Sequence, residues 1–254
     1  MRKIASLFVA LLLLAGCSSV PLTGRKQVLL VSDQEVLSSS LTQYNDYIKT
    51  AKKSTNANKS AMVTREDYLR ANGMADEVKN FSWEFNLVND PQVNAFCMPG
   101  GKIVVYEGLL PLVSSDDELA VVIGHEVAHA VAKHSNERMS QQLMAQYGAA
   151  ILGAAVSNKS AAVQQAANTV YGVGAQYGVM LPFSRKHESE ADYMGLVFMT
   201  MAGYNPDVAV NFWQKMSAGK SGSTPEFMST HPSDATRIAE IQKVLPAIKT
   251  KYKK

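Results

Sequence analysis

Two histidines four residues apart flank a glutamate in the segment Gly124-His125-Glu126-Val127-Ala128-His129. Side chains at positions i and i+4 of a helix point the same way, so both imidazoles can reach one metal ion. Glu126 directly follows His125 and can hold a water molecule beside that metal. Zinc lowers the pKa of such a water, and a carboxylate can take its proton during attack on a carbonyl. The spacing therefore predicts a hydrolytic zinc site with His125 and His129 as ligands and Glu126 as general base.

A catalytic zinc usually has a third protein ligand and an open coordination position. One extended signature continues with a glycine and a third histidine, but Ala132 and Ser135 stand at those places, which excludes that class. The better candidates are Glu188 and Asp192, which lie one helical turn apart behind Ser184, a predicted helix cap. One of these carboxylates could bind zinc while the other orients a ligand imidazole.

Two neighbouring titratable residues receive structural interpretations. His134 is predicted to point to a different face of the helix that carries His129, as a surface residue or a support for a ligand. Glu190 points away from Glu188 and is predicted to face solvent or to pair with a Lys or Arg. The alternatives to a metal site are hydrogen-bonded core histidines and an ordinary charged helix face.

The zinc motif requires a helix, and residues 115–139 have the strongest helical pattern. Ser115 and Glu118 have the spacing of a capping box, and the apolar run 119–123 predicts a buried helix. Further helices are predicted over 34–53 and 64–80.

Short strands are predicted at 83–88, 93–98 and 103–106 around the turn Pro99-Gly100-Gly101. Everything after about residue 107 has helical character. The segment 147–181 is rich in Ala and Gly, but polar residues interrupt it. It therefore predicts two closely packed helices or a flap and no membrane span. The predicted fold class is α+β, mostly helical, with a small sheet beside the motif helix.

Composition narrows the function classes. Hydrophobic residues make up 46% and charged residues 19% of the 254-residue chain, as in packed globular proteins. Lys plus Arg number 25 against 22 Asp plus Glu, and no basic stripe carries interleaved aromatics. Nucleic acid is therefore not an expected partner.

The first residues resemble a bacterial lipoprotein signal: a basic head, an apolar stretch and then Leu14-Ala15-Gly16-Cys17. The resemblance implies that Cys17 is lipidated and anchors the chain to a membrane. It predicts residues 1–16 as signal peptide, 17–33 as lipid-anchored tether and 34–254 as the domain. The predicted location is the bacterial cell envelope, at the periplasmic face of the outer membrane. Cys97 is then left without a disulfide partner and is predicted to be a small buried residue.

The sequence also resembles the M48 family of zinc peptidases, in particular bacterial envelope lipoproteins. The resemblance rests on the zinc helix and on similar segments before and after it. They are Pro21–Gln27, Asn94-Ala95-Phe96, Pro99-Gly100-Gly101, Gly108-Leu109-Leu110, Glu188-x-x-x-Asp192, and Thr230-His231-Pro232 followed by Arg237.

This resemblance implies a gluzincin fold with one zinc ion per chain. Glu188 would be the third ligand and Asp192 would orient a ligand from outside the coordination sphere. His231 would be a gate that binds zinc in the resting state, and Arg237 would stabilise the oxyanion.

The resemblance further implies that a strand carrying Asn94, Ala95, Phe96 and Cys97 pairs with extended substrate, as exposed strand edges do. The predicted function is that of a zinc metalloendopeptidase that cleaves unfolded or damaged envelope proteins. The alternative is chaperone-like binding of outer-membrane clients by a protein with a gated zinc site.

Overall fold

The structure is a computed structural model that describes residues 17–63, 81–218, 226–231 and 235–252. The predicted signal peptide 1–16 and the predicted helix over 64–80 lie outside the described residues, as does Pro232.

The chain begins with a small antiparallel hairpin. Strands β1 (Cys17–Ser19) and β2 (Lys26–Val28) pair directly, and Leu22 and Gly24 turn the chain between them with positive φ. Val20 is 1% exposed and belongs to the main core. The segment predicted as a tether is thus folded against the domain, with its own buried residues.

Two helices follow. Helix α1 (Asp33–Thr50) begins at a complete capping box, in which Ser32 and Glu35 each bond the backbone of the other. This satisfies two amide groups that a helix start leaves without partners. Helix α2 (Ala57–Val63) ends where the described segment ends. Tyr44 of α1 packs with Val88, Val104 and other residues into a second, smaller apolar cluster.

A three-stranded sheet lies beside the helices in the order β3-β5-β4. Its strands are β3 (Glu84–Val88), β4 (Ala95–Met98) and β5 (Lys102–Tyr106), with β3 parallel and β4 antiparallel to β5. Gly100 and Gly101 both have positive φ in the turn before β5, a conformation that glycine adopts without a steric cost. Among the described residues, β4 has a strand partner on one side only.

The rest of the described chain is helical, after a 3-10 helix at Glu107–Leu112. The α-helices are α3 (Asp116–Val131), α4 (His134–Val156), α5 (Ala161–Ala175), α6 (Leu181–Met201), α7 (Val208–Ala218), α8 (Glu226–Thr230) and α9 (Ala235–Tyr252), with a π-helical turn at Gln176–Met180. The predicted α+β class, mostly helical with a small sheet beside the motif helix, is confirmed.

The motif helix differs from the prediction at both ends. Ser115 caps it by accepting the amide of Glu118, but the Glu118 carboxylate accepts from the backbone of Ser114. The predicted helix 115–139 is two helices, because Lys133 takes a left-handed conformation with φ 58° and redirects the chain. His134 therefore begins α4. Ser184, a predicted cap, lies inside α6, which starts at Leu181.

Helices α3 and α6 cross in backbone contact at two glycines. A Cβ built at Gly195 would lie 2.8 Å from backbone atoms of Gly124 and His125, and one at Gly124 would lie 2.8 Å from the Gly195 carbonyl oxygen. The crossing places the zinc motif directly against the helix that carries Glu188 and Asp192.

The Ala- and Gly-rich segment forms α4 and α5, which approach each other through small residues. The Tyr171 hydroxyl donates to the Ala145 carbonyl across this contact and occupies the space that a Cβ at Gly148 would need. None of the helices in the described part of the chain combines the length and the apolar character needed to cross a membrane.

Candidate metal centre

Four side chains, from two helices and from the residue that follows α8, converge on one point. They are His125 and His129 of α3, Glu188 of α6 and His231, and one ligand atom of each lies within 4.8 Å of all the others. All four donors are nitrogen or carboxylate oxygen atoms, the types that zinc binds. The two predicted ligand histidines and the predicted carboxylate are thus brought together, and His231 joins them.

The distances between these donors fit a tetrahedral metal ion. His125 Nε2 lies 3.1 Å from His129 Nε2, 3.3 Å from a Glu188 oxygen and 3.3 Å from His231 Nδ1. The other Glu188 oxygen lies 3.4 Å from His129 Nε2. Zinc bonds of 2.0–2.1 Å in a tetrahedron separate the ligand atoms by about 3.3–3.4 Å. The spacing of these donors therefore fits a zinc ion.

Asp192 fixes the ring orientation of His125. Its Oδ1 lies 3.0 Å from His125 Nδ1, and both groups are almost fully buried. An ionised carboxylate can only accept, so Nδ1 carries the proton and Nε2 faces the ligand cluster. Burial disfavours the charged ring, but hydrogen bonds to Asp192 and Glu188 outweigh it and raise the pKa of His125 to about 9. Metal binding must therefore displace a proton from this ring.

Arg237 is bound to the carboxylates of the site. Its Nε and Nη2 donate to the two oxygens of Asp192, and its Nη1 lies 3.2 Å from Glu188 Oε2. The guanidinium is also stacked 4.6 Å over the Trp213 ring. These contacts orient Asp192 and Glu188. The oxyanion role of Arg237 stays a prediction.

Glu126 lies beside the cluster, and one of its carboxylate oxygens is buried without a hydrogen-bond partner among the described residues. Its side chain is 3% exposed, and the oxygen concerned is Oε1. His231 Nε2 lies 3.4 Å from Oε1. A buried carboxylate oxygen without a donor is costly, so a water molecule or a substrate group is the expected partner.

Strand β4 passes next to this carboxylate. Ala95 and Cys97 face the main core, whereas Phe96 and Met98 face the smaller cluster. Burial and then the charge of Glu126 raise the pKa of the Cys97 thiol, which places the strand within electrostatic reach of the predicted base. Cys97 is half-buried and has no disulfide partner. Asn94 precedes the strand, and its carbonyl accepts from the Tyr106 amide.

His231 is held by an aromatic stack. Its ring lies 4.8 Å from that of Phe227, which is stacked in turn at 5.8 Å on Trp213. The His231 amide donates to the Phe227 carbonyl. The aromatic stack and one turn of backbone therefore direct Nδ1 toward the other three donors.

A second histidine cluster supports His129 from behind. His134 Nδ1 lies 2.9 Å from His129 Nδ1, and His134 Nε2 lies 3.1 Å from Glu190. His187 is stacked on His134 with ring centroids 4.2 Å apart and bonds Glu137. Burial lowers the pKa of His134 to about 4 and that of His129 to about 3, so both rings are neutral at pH 7.

Arg25 connects the N-terminal hairpin to this cluster. Its two Nη atoms donate to the two oxygens of Glu137, and its Nε donates to Glu190 at 2.7 Å. Burial opposes ionisation of both acids, but hydrogen bonds from His187 and Arg25 lower the pKa of Glu137 to about 2. Hydrogen bonds from His134, Thr23 and Arg25 do the same for Glu190.

Most of this support could not be predicted from the sequence. An Arg or Lys partner for Glu190 and a supporting role for His134 are among the expectations, but Arg25 is expected to lie in a tether. One signal is available: His134-x-x-Glu137 and His187-x-x-Glu190 share the same one-turn spacing. In the structure each histidine bonds the glutamate of the other pair.

Comparisons with known proteins show which family and which proteins the chain is similar to. Residues 57–245 match the family described as Peptidase family M48. Mitochondrial metalloendopeptidase OMA1 of Schizosaccharomyces pombe is 34% identical over 220 residues, which cover 86% of this chain and 61% of that protein. The Arabidopsis thaliana protein of the same name is 40% identical, over 68% of this chain and 34% of that protein. The beta-barrel assembly-enhancing protease of Escherichia coli is 28% identical, over 68% and 37%. The chain thus spans about a third to three fifths of the length of these relatives.

The names of these relatives contradict the predicted location. Relatives from fission yeast, Arabidopsis, budding yeast and human are all named as mitochondrial. The prediction of a bacterial envelope lipoprotein at the outer membrane is therefore wrong by this comparison. That prediction rests on residues 1–18 and on the likeness of Pro21–Gln27 to envelope lipoproteins. The lipidation of Cys17, which pairs with Val28 in the hairpin, stays a prediction.

Proposed function

This chain belongs to peptidase family M48, whose members are metal-dependent proteases, and we propose that it is a zinc metalloendopeptidase acting on unfolded or damaged proteins. The observation that carries the proposal is the convergence of His125, His129 and Glu188 at tetrahedral spacing beside an unpartnered oxygen of Glu126. A structural zinc site is usually closed by Cys and His and has no such carboxylate next to it.

We assign His125, His129 and Glu188 as the residues that would hold one zinc ion. When bound, zinc would supply a lowered pKa for water and a polarised substrate carbonyl. Glu126 Oε1 would accept the proton of the attacking water and later donate it to the leaving amine. Asp192 holds His125 in the required tautomer, and Arg237 holds Asp192 and Glu188 in place.

His231 is proposed as the resting-state occupant of the fourth position. Its Nδ1 lies 3.1 Å from Glu188 Oε2 and 3.3 Å from His125 Nε2, which is ligand spacing. Its Nε2 also lies 3.4 Å from Glu126 Oε1, so in this proposal the His231 ring takes the place that the attacking water would need. Substrate cleavage then requires that His231 move away from both groups.

Substrate binding is proposed at the free edge of β4, which comprises Ala95, Phe96 and Cys97 and follows Asn94. Edge strands bind extended peptides through backbone hydrogen bonds, which makes recognition independent of most side chains. A cavity of about 740 Å³ opens next to the end of this strand and reaches His129. Pro99 and Gly100 line it, together with residues of the N-terminal hairpin and of α1. An extended chain on β4 would continue into this cavity, so folded proteins would be poor substrates.

The test is the Glu126→Gln variant of the full chain, compared with wild type for zinc content and for cleavage of fluorescent casein. We expect unchanged zinc content, because the side chain at position 126 is not a ligand, and a loss of cleavage of about 10²–10⁴-fold. Wild-type cleavage should stop with a chelator and return with zinc. The matched control is Glu240→Gln, an exposed glutamate on α9, which should cleave like wild type. Cleavage retained by Glu126→Gln would refute the assignment.

A further inference from the structure

We infer that a chain of hydrogen bonds from Arg25 through Glu190 and His134 to His129, here called the relay, sets which ring nitrogen of His129 carries its proton. The N-terminal hairpin would then help to orient a ligand of the metal site. The inference rests on the proposed metal site. Arg25, Glu190 and His134 have a positioning role, because they act on the metal through His129 and do not contact it themselves.

The first step of the relay is the contact between Glu190 and His134. Glu190 Oε2 lies 3.1 Å from His134 Nε2, and both side chains are more than 90% buried. An ionised carboxylate offers only acceptors, so Nε2 of His134 must carry the proton. In a neutral ring the other nitrogen, Nδ1, is then an acceptor.

The second step passes this choice to the metal ligand. His134 Nδ1 lies 2.9 Å from His129 Nδ1, and two bare nitrogens at that distance would repel each other. Because His134 Nδ1 is an acceptor, His129 Nδ1 must be the donor and must carry the proton. His129 Nε2 is then unprotonated and faces the other ligands, 3.1 Å from His125 Nε2. Only an unprotonated ring nitrogen can bind a metal ion.

The hairpin holds the first group of the relay. Arg25 Nε donates to Glu190 Oε2, and the Thr23 hydroxyl donates to Glu190 Oε1 at 2.5 Å. These donors fix the plane of the carboxylate, so it remains an acceptor for His134. An amide or a rotated group at position 190 could present a donor instead and allow the opposite tautomer of both rings.

The neighbouring pair of Glu137 and His187 provides an internal comparison. It shares the Arg25 guanidinium and the ring stack with the relay, but its hydrogen bond does not lead to His129. Disrupting this pair therefore removes stability without changing the tautomer of His129. A merely structural role for the whole cluster would make the two glutamates equivalent.

The test measures zinc affinity of the full-length chain by competition with a fluorescent chelator. Following typical losses for residues that orient metal ligands, Glu190→Gln and His134→Phe should each weaken zinc binding by about 10–100-fold. Arg25→Met should act in the same direction, and Arg25→Lys should recover part of the loss. Glu137→Gln should lower the urea midpoint but keep wild-type zinc affinity. Lys26→Ala, next to Arg25 in the hairpin, should change neither quantity.

A second measurement reads the tautomer directly and does not depend on the folding of any variant. Long-range ¹H–¹⁵N spectra of the metal-free wild-type protein should place the proton of His129 on Nδ1. Wild-type zinc affinity in Glu190→Gln and His134→Phe, or a proton on His129 Nε2, would overturn the relay. If the relay results hold but the zinc-loaded protein does not cleave casein, the proposed function fails and the positioning role stands.

Discussion

The close contact between Gly124 and Gly195 means that adding a methyl group at position 195 should disturb the metal centre by an amount that can be worked out. A Cβ at position 195 would lie 2.8 Å from the Gly124 carbonyl carbon and the His125 amide nitrogen, where ordinary contacts begin at 3.4 Å. Gly195→Ala must therefore separate α3 from α6 by about 0.6 Å at the crossing, because backbone atoms on both sides cannot rotate away. Metal sites tolerate ligand displacements of only about 0.2 Å.

Two effects of Gly195→Ala follow from this displacement. Overpacking should cost about 1–3 kcal/mol of unfolding free energy, of which alanine's better helix propensity returns up to about 1 kcal/mol. Zinc affinity should fall on the order of tenfold, because His125 lies on α3 and Glu188 on α6, and the two helices move apart. Urea unfolding of the metal-free protein and chelator competition measure the two quantities separately.

The matched control is Gly153→Ala in α4. A Cβ at that position meets nothing within 4 Å, so the substitution should raise stability by up to about 1 kcal/mol and leave zinc affinity unchanged. If Gly195→Ala were as stable as wild type and bound zinc equally well, the argument that the helix crossing sets the ligand geometry would be wrong.

Two further predictions concern the gate and the acid stability. If the form with His231 away from the metal site is about a tenth of the resting population, His231→Ala should increase casein cleavage by up to about tenfold. A fall in cleavage at full zinc occupancy would instead make His231 part of the catalytic machinery. Glu137 and Glu190 have pKa values lowered from 4.5 to about 2, so their contribution to stability is complete above pH 4.5 and is lost as the pH falls toward 2. The free energy of unfolding from urea titrations between pH 6 and 3 should therefore fall by about 1–3 kcal/mol per carboxylate, and Glu137→Gln should show a shallower decline than wild type.

Local features of the site could be predicted from the sequence. The His125–His129 spacing fixes the geometry of two ligands because both lie on one helix. The ends of the three short strands lie within two residues of their predicted positions. Glu188 could be chosen over Asp192 only through the family resemblance, because both carboxylates lie on the same helix face. In the structure Glu188 faces the histidines and Asp192 lies behind His125.

The remaining features depend on long-range packing that local patterns do not encode. No glycine marks the break between α3 and α4, because Lys133 itself takes the left-handed conformation there. Arg25 meets Glu190 across 165 residues of sequence, so its role could not be read from its neighbours. The crossing at Gly195 likewise becomes visible only when both helices are in place.

A crystal structure of the zinc-loaded chain, with anomalous data at the zinc edge, will show whether residues 125, 129 and 188 hold one zinc ion. We expect one anomalous peak about 2.0–2.2 Å from His125 Nε2, His129 Nε2 and a Glu188 oxygen. If a zinc-loaded crystal has no peak there, or has its peak between His134 and His187, these three residues are not the ligands.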